Sequence, residues 1–368
     1  MPVKLKSDMA TPCVLGTARQ CPWCWRKQNT TSERLMRQKP LGTSGIEASV
    51  VGLGTAAIGG GGASAALDYG DYVKAIQAAI DRGVTLIDTA PSYGWGHSEE
   101  VVGEAIKGRR DRVVVATKCG VWWEDERGSY NGVKDGKVNY VSLRPDTITI
   151  EVENSLRRLG VDTIDLLQCH KPAMPPEDTP IPETMGCLMD LMAQGKIRAI
   201  GVSNVSLEQL KAYREAGDLA SDQFRYSMIL RDREADILPY CAENNIATLA
   251  YWSLEQGLLT GKVGLDRVFR DGDFRNTADA WLPWFKRENR QRLLDMFAGW
   301  ADLTEKYDST IAQLTIAWTA SQPGATHVLC GIRSVEQGIE NAGAGALELD
   351  ANEVQRMRDD LVALGDPV

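Results

Sequence analysis

Four polar residues stand where short apolar runs of the chain give out. Asp88 closes LID before TAPSYG, and Tyr93 follows in the same segment. Lys118 closes VVVATK, and His170 closes IDLLQCH. Taken singly each has an ordinary explanation: an Asp before Thr caps a helix, a lysine at a strand end is solvated, and a lone histidine is structural. Together the four types suit carbonyl reduction or its reverse. A hydride arriving at a carbonyl carbon leaves an alkoxide that needs a proton, and a tyrosine with a reference pKa of about 10 exchanges one poorly near neutrality. An ammonium beside it stabilises tyrosinate and lowers that pKa. Asp88 would keep Lys118 charged and in place, because a buried lysine without a partner tends to lose its proton. His170 can donate to the substrate oxygen and stabilise developing negative charge.

These residues can meet only if the elements carrying them converge. From residue 36 onward, β-branched runs alternate with helical segments: VVGLGT (50–55), LID (86–88), VVVATK (113–118), IDLLQCH (164–170), IRAIGVSN (197–204), DQFRYS (222–227), IATLAYWS (246–253) and HVLCGI (327–332). Apolar strands each followed by a helix imply a parallel sheet. Eight such units in about 330 residues predict a closed (β/α)8 TIM barrel, whose strand C-termini share one rim. Pro145 and Pro182 stand at expected first turns, and Gly83, Gly108, Gly160 and Gly195 at expected helix exits. Two long connections, 120–143 and 255–285, follow strands and therefore belong to the rim where barrels carry their sites.

Composition narrows the partners. The 368 residues carry a formal net charge of −9, which argues against a nucleic-acid binder held by phosphate contacts. No apolar run approaches the roughly 18 residues of a transmembrane helix, so no membrane partner is expected. Cys119, Cys169, Cys187, Cys241 and Cys330 are scattered singly, which suits reduced thiols in a cytoplasmic protein. Residues 1–35 are basic and without sustained period, and read as a disordered or non-native extension before a barrel spanning 36–368. Within that head Cys21 and Cys24 have metal or redox spacing, but no second Cys/His pair stands at a matching distance, and an incidental pair is the simpler reading. His97, His170 and His327 are the only histidines and form no His/carboxylate motif, so a metal-dependent isomerase or aldolase barrel is poorly supported and no metal is expected.

The segments also resemble a known family. IDTAPSYGWGHSEEVVGEAI, VVVATKCG and DLLQCHKP are similar to the stretches that carry the catalytic Asp, Tyr, Lys and His of aldo-keto reductases. IRAIGVSNVSLEQL, DQFRYS, YWSLEQGLLTGK and GIRSVEQGIENAGA resemble that superfamily's cofactor segments in the same order. The likeness runs from about residue 38 to 350 and is greatest to the bacterial and potassium-channel-β-subunit-like branch. It implies that Asp88, Tyr93, Lys118 and His170 form a catalytic tetrad and that NADP(H) is the cofactor. Ser203, Asn204 and Gln223 would bind the nicotinamide carboxamide, with Tyr251 against the ring. Leu254, Gln256 and Lys262 would line the pyrophosphate. Arg333 and Gln337 would meet the 2′-phosphate, with Glu340 and Asn341 at the adenine. Gly54, Thr55, Gly331 and Asp88 complete the implied cofactor set. The preference for NADP(H) leans on Arg333, since guanidinium matches phosphate geometry. GLGTAAIGGGG lacks the GxGxxG spacing of a Rossmann loop, and close backbone approach is the better reading of Gly54.

Two departures from the family touch the substrate side. Lys171-Pro172-Ala173 stands where the family often has Trp-Pro-acid, and Tyr251-Trp252-Ser253-Leu254 where many members read Tyr-Ser-Pro-Leu. Trp95, Trp122, Trp123, Trp281 and Trp284 fall in loops expected at the mouth, and Trp95, Trp122 and Trp123 are the candidate substrate contacts. The expected partner is a small carbonyl or alcohol, sugar-like, cyclic or aromatic, with the chain a monomer or homo-oligomer. The alternative is a cofactor-binding regulatory or redox-sensing subunit with slow turnover.

Overall fold

The computed structural model describes residues 35–59 and 68–368, so the head with Cys13, Cys21 and Cys24, and most of the glycine run after Ile58, lie outside the described residues. Eight parallel strands close a barrel: β1 (Val51–Gly54), β2 (Leu86–Asp88), β3 (Val114–Cys119), β4 (Leu166–Cys169), β5 (Ile200–Ser203), β6 (Ser221–Arg225), β7 (Ala247–Tyr251) and β8 (His327–Gly331). Each pairs with its neighbour in sequence, and β8 returns to β1 with Val328 opposite Val51. The expected alternation is thus the observed one, with helices α1 (Tyr69–Ile80), α2 (His97–Ala105), α3 (Pro145–Leu159), α4 (Ile181–Ala193), α5 (Leu207–Ala216) and α6 (Ile237–Glu243) following β1 to β6. After β7 come α7 (Arg287–Ala298), α8 (Ala301–Tyr307) and α9 (Ile311–Ser321); α10 (Val335–Gly343) and α11 (Ala351–Leu364) follow β8.

Helix boundaries follow local chemistry. Pro145 opens α3, and Gly160 closes it at φ +65°, where a side chain would be strained. Ser206 with Gln209 and Thr310 with Gln313 form reciprocal capping boxes at α5 and α9. The face of α3 bearing Ile148, Val152, Ser155 and Leu159 is buried, as a helical stripe against a sheet must be. The strands obey period two. Ile87, Val115, Leu167, Val202 and Phe224 pack outward in the layer shared with the helices. Leu86, Val114, Ala116, Leu166, Leu249 and Leu329 fill the interior, plugged from below by Leu41, Ile46 and Ala48 of an N-terminal hairpin, Gln38–Pro40 with Glu47–Ser49. The barrel is narrow enough that a Cβ on Gly201 would come within 2.4 Å of the Ser221 hydroxyl oxygen.

The connection 120–143, expected as a loop, is instead a three-stranded antiparallel ribbon of Val121–Trp122, Ser129–Lys134 and Lys137–Val141. Asp135 (φ +51°) and Gly136 (φ +77°) make its tight turn, the Asp-Gly pair that two-residue hairpins favour. The 252–286 connection holds three short 3₁₀ turns and packs into a second core around Trp300 and Trp318. The five body cysteines are free thiols, four of them buried. Among the described residues no helix is long and apolar enough to cross a membrane.

Candidate active site

Above the apolar filling of the barrel, the next inward positions are polar, and they bond to one another across the bore. Lys118 on β3 is 1% exposed, and its ammonium donates to Asp88 Oδ1 on β2 (2.6 Å), to the Thr89 carbonyl (2.9 Å) and to the Tyr93 oxygen (3.4 Å). The other carboxylate oxygen of Asp88 accepts from Gln168 Nε2 and Gln223 Nε2, each at 2.9 Å. Gln223 Nε2 also donates to Gln168 Oε1 at 3.0 Å. Asp88 thus accepts three hydrogen bonds, one on Oδ1 and two on Oδ2. Tyr93 and His170 stand edge to face with ring centres 5.7 Å apart, both partly open to the mouth. The Ser92 hydroxyl lies 3.5 Å from His170 Nδ1, and the other ring nitrogen has no partner among the described residues.

Gln168 was missed by the sequence reading. Its signal was available: it sits in an apolar strand, two positions before His170 and so on the same face.

Burial and neighbouring charges shift the three titrating groups in different directions. Burial pulls the Lys118 pKa down, but Asp88 and then Tyr93 more than compensate, leaving it above the ordinary lysine value. For Tyr93 burial outweighs the lowering by Lys118, so its pKa lies above 10, and the expectation of a net lowered tyrosine is corrected. Burial, followed by Lys118, Lys171 and Lys134, holds the His170 pKa well below 6.5. At neutral pH the site thus presents one ammonium–carboxylate pair, a neutral phenol and a neutral imidazole. Two neutral donors converge beside a fixed cation, which is a proton-donating arrangement.

On the β5–β6 side, Asn204 adopts φ +62° and reaches back to the His170 carbonyl (3.1 Å) and the Ser203 hydroxyl (2.9 Å), while the Tyr251 hydroxyl donates to Asn204 Oδ1 (2.7 Å). Ser203 in turn donates to the Gln223 carbonyl at 2.8 Å. Because the Gln223 amide nitrogen serves Asp88 and Gln168, only its carbonyl oxygen is left for a ligand, a narrower role than expected. Thr55 is fully buried, and its hydroxyl is engaged within the protein, donating to the Asp88 carbonyl and accepting from Ser98. Gly54 by contrast is partly open, and a Cβ there would meet only Leu329 Cβ at 3.8 Å.

Farther along the rim, the backbone after β7 is strained. Trp252, Glu255 and Gln256 all have positive φ, with Glu255 buried against Arg225 and Ser227. Leu254 packs its side chain against the cores beneath this turn. Arg275, from the long connection, donates to the Gln256 carbonyl and pairs with Asp273. Arg333 lies near this pair, its pKa lowered by burial and then by Arg275. Its guanidinium has no hydrogen bond or ion pair among the described residues, so a half-buried cation stands ready for an anion. Gln337 accepts from the Arg333 backbone N–H, and Asn341 donates to the Gly331 carbonyl, so both brace the β8–α10 turn. Lys262 and Glu340, expected at pyrophosphate and adenine, are paired with each other at 2.6 Å. Neutral amides near the tetrad and guanidiniums at the far end form a donor set that fits a nicotinamide dinucleotide. Arg275 had no local signal in the sequence, since only folding of the long connection brings it beside Arg333.

The tryptophans divide. Trp95 and Trp123 meet edge to face at 5.3 Å. Trp122 is a correction: it is 2% exposed, its indole donates to Asp125, and Arg127 stacks on its ring. It anchors the ribbon. Trp284 lies under Arg292, and Trp281 makes tilted ring contacts with Phe274 and Trp252. His97 opens α2, and His327 is buried at the start of β8, at the opposite end of the barrel from His170.

Comparison with known proteins adds the following. Residues 50–360 match the model of the aldo/keto reductase family. The NADH-specific methylglyoxal reductase of Escherichia coli is 41% identical over 331 residues, covering 89% of this chain and 99% of that protein. Among solved structures, glycerol dehydrogenase AKR11B4 from Gluconobacter oxydans superimposes with a TM-score of 0.76 at 35% identity, covering 92% of this chain and 97% of its own. An aldo-keto reductase from Klebsiella pneumoniae in complex with NADPH gives a TM-score of 0.63 at 30% identity, covering 88% and 94%.

Proposed function

The chain belongs to the aldo/keto reductase family, and from that premise we propose that it interconverts an aldehyde or ketone with its alcohol, Tyr93 passing the proton and NADP(H) being the preferred cofactor. When bound, the nicotinamide cofactor supplies or accepts the hydride. Tyr93 and His170 donate to the substrate oxygen and hold the carbonyl at the rim. As charge grows on that oxygen, the Tyr93 proton moves to it, and the tyrosinate left behind faces the Lys118 ammonium at 3.4 Å. Asp88 keeps Lys118 charged at 2.6 Å, and solvent returns the proton to Tyr93. Ser203, Asn204 and Tyr251 orient the nicotinamide end. The observation that carries the reading is the buried Asp88–Lys118–Tyr93 chain, which holds a protonated phenol beside a fixed cation.

The choice of NADP(H) is supported by the Arg333 guanidinium, which lies beside Arg275 and has no hydrogen bond or ion pair among the described residues. The names of the relatives point both ways, one NADH-specific and one in complex with NADPH. Residues 36–368 are proposed as the catalytic unit.

Tyr93→Phe tests the assignment. The variant is expected to lose roughly 10²- to 10⁴-fold in kcat for aldehyde reduction, while its NADPH affinity, measured by fluorescence titration, stays close to that of the parent. Retention of substantial turnover would remove Tyr93 as the acid.

A further inference from the structure

We propose that the carbonyl compound taken by this site is itself an anion, bearing a carboxylate or phosphate that Lys134 and Lys171 hold beside the Trp95–Trp123 wall. The inference rests on the reduction proposed above and names its substrate class.

The substrate side of the mouth is rich in donors and poor in acceptors. Lys171 directly follows His170, is half-buried, and donates to Asn131 Oδ1 of the ribbon at 2.8 Å. Lys134, on the same ribbon, brings its ammonium within 3.4 Å of the carbonyl of Ser92, the residue before Tyr93. Lys137 stands over the Trp95 ring at 5.4 Å, and the Trp95 indole N–H is buried without an acceptor among the described residues. None of these three lysines pairs with a carboxylate among the described residues. Their charge reaches the chemistry, because both Lys171 and Lys134 contribute to depressing the His170 pKa, after burial and Lys118.

Neighbouring cations behave otherwise. Arg127 pairs with Asp125 and Asp146, Arg144 with Asp146 and Glu177, and Arg158 with Glu99. Around the ribbon these arginines are neutralised by carboxylates, whereas Lys134, Lys137 and Lys171 have none within ion-pair distance among the described residues. Lys118 cannot supply net charge, since Asp88 cancels it. Nor do these lysines serve the cofactor's phosphate, for which Arg275 and Arg333 stand on the β7–β8 side while the lysines belong to the β3 and β4 connections. In a chain of net charge −9, a local surplus of ammonium groups is a recognition feature for a ligand that brings acceptors and negative charge.

Three aldehydes on one ring test this: 4-carboxybenzaldehyde, 4-formylphenyl phosphate and the uncharged methyl 4-formylbenzoate. At low salt kcat/KM for at least one anion is expected to exceed that for the ester by about tenfold or more, with the gap shrinking at high salt. Which anion leads tells carboxylate from phosphate. In the Lys134→Gln/Lys171→Gln double variant the ratio of anion to ester should collapse towards one. A second readout needs no turnover: benzoate should quench tryptophan fluorescence of the protein more strongly than benzamide, and the double variant should lose the difference. If the ester is reduced as well as both anions, the anion site is refuted while the reductase reading stands. If no aldehyde is reduced with either NADPH or NADH but benzoate binding still needs the lysines, the reductase reading falls and the anion site survives. A preference for anions that outlives both substitutions overturns the assignment to these lysines.

Discussion

Replacing Asp88 by Asn keeps the side chain's size but puts an NH2 where one carboxylate oxygen accepted hydrogen bonds. Either Lys118 or the Gln168–Gln223 pair then faces a donor, and in both cases the Lys118 ammonium loses its counter-charge. Breaking a buried ion pair from one side costs about 3–5 kcal/mol, a large part of the ~5–15 kcal/mol that holds a typical domain folded. The pH dependence carries the sharper test. In the parent, the folded Lys118 pKa is raised, so the contribution of the pair is complete below the unfolded lysine value and is lost only as pH rises through the higher folded one. Between pH 7 and 9 this group leaves the stability flat. In Asp88→Asn the main raising influence is gone and burial, which pulls downward, prevails. The unfolded chain then binds more protons than the folded one, so stability should climb with pH by up to about 1.4 kcal/mol per unit until the unfolded value near 10.4. Urea unfolding followed by tryptophan fluorescence at several pH values reads both effects, with the midpoint at pH 7 lowered by roughly 1 M or more. A variant within about 1 kcal/mol of the parent, or one whose midpoint ignores pH over this range, would refute the reasoning.

Two further outcomes can be checked directly. Arg333→Ala should raise the Kd for NADPH by roughly 10- to 100-fold, as expected for losing hydrogen bonds from a charged group, and should change the Kd for NADH little; equal weakening of both would show that Arg333 does not read the 2′-phosphate. Asp222 points outward from β6 and is fully buried with no side-chain partner for either oxygen among the described residues, and burial, only partly offset by Arg233 and the Gln223 backbone, pushes its pKa up to about 8. A raised carboxyl pKa means the folded state holds the proton longer, so this group costs stability progressively as pH rises from about 4 towards 8. Asp222→Asn should therefore be more stable at pH 7, by an amount on the order of 4 kcal/mol, and calorimetric Tm values that coincide at pH 7 and differ at pH 4 would contradict this.

Much of the site could be read along the chain because period two is a property of the backbone itself. Asp88, Lys118 and His170 share the inward phase of their strands, and any closed barrel brings those positions to one rim. The same alternation should have admitted Gln168, and the Asp135-Gly136 pair already marked the ribbon turn. These were local signals left unused. Arg275 beside Arg333, Thr55 locked to Ser98, and Lys262 closed on Glu340 carry no such local mark.

What the sequence alone determined about this protein is the alternation of strand and helix, the closure they imply, and the residue types standing at the strand ends. Tertiary structure alone decided how those types behave. Tyr93 keeps its proton because burial outweighs the lysine beside it, and Lys118 keeps its charge because Asp88, itself held by Gln168 and Gln223 from across the bore, and then Tyr93 offset its burial. The physical reason lies in range. Alternation and turn chemistry depend on a few neighbouring residues, whereas protonation and pairing depend on desolvation and on partners as far as 135 residues away, which exist only once the barrel has closed.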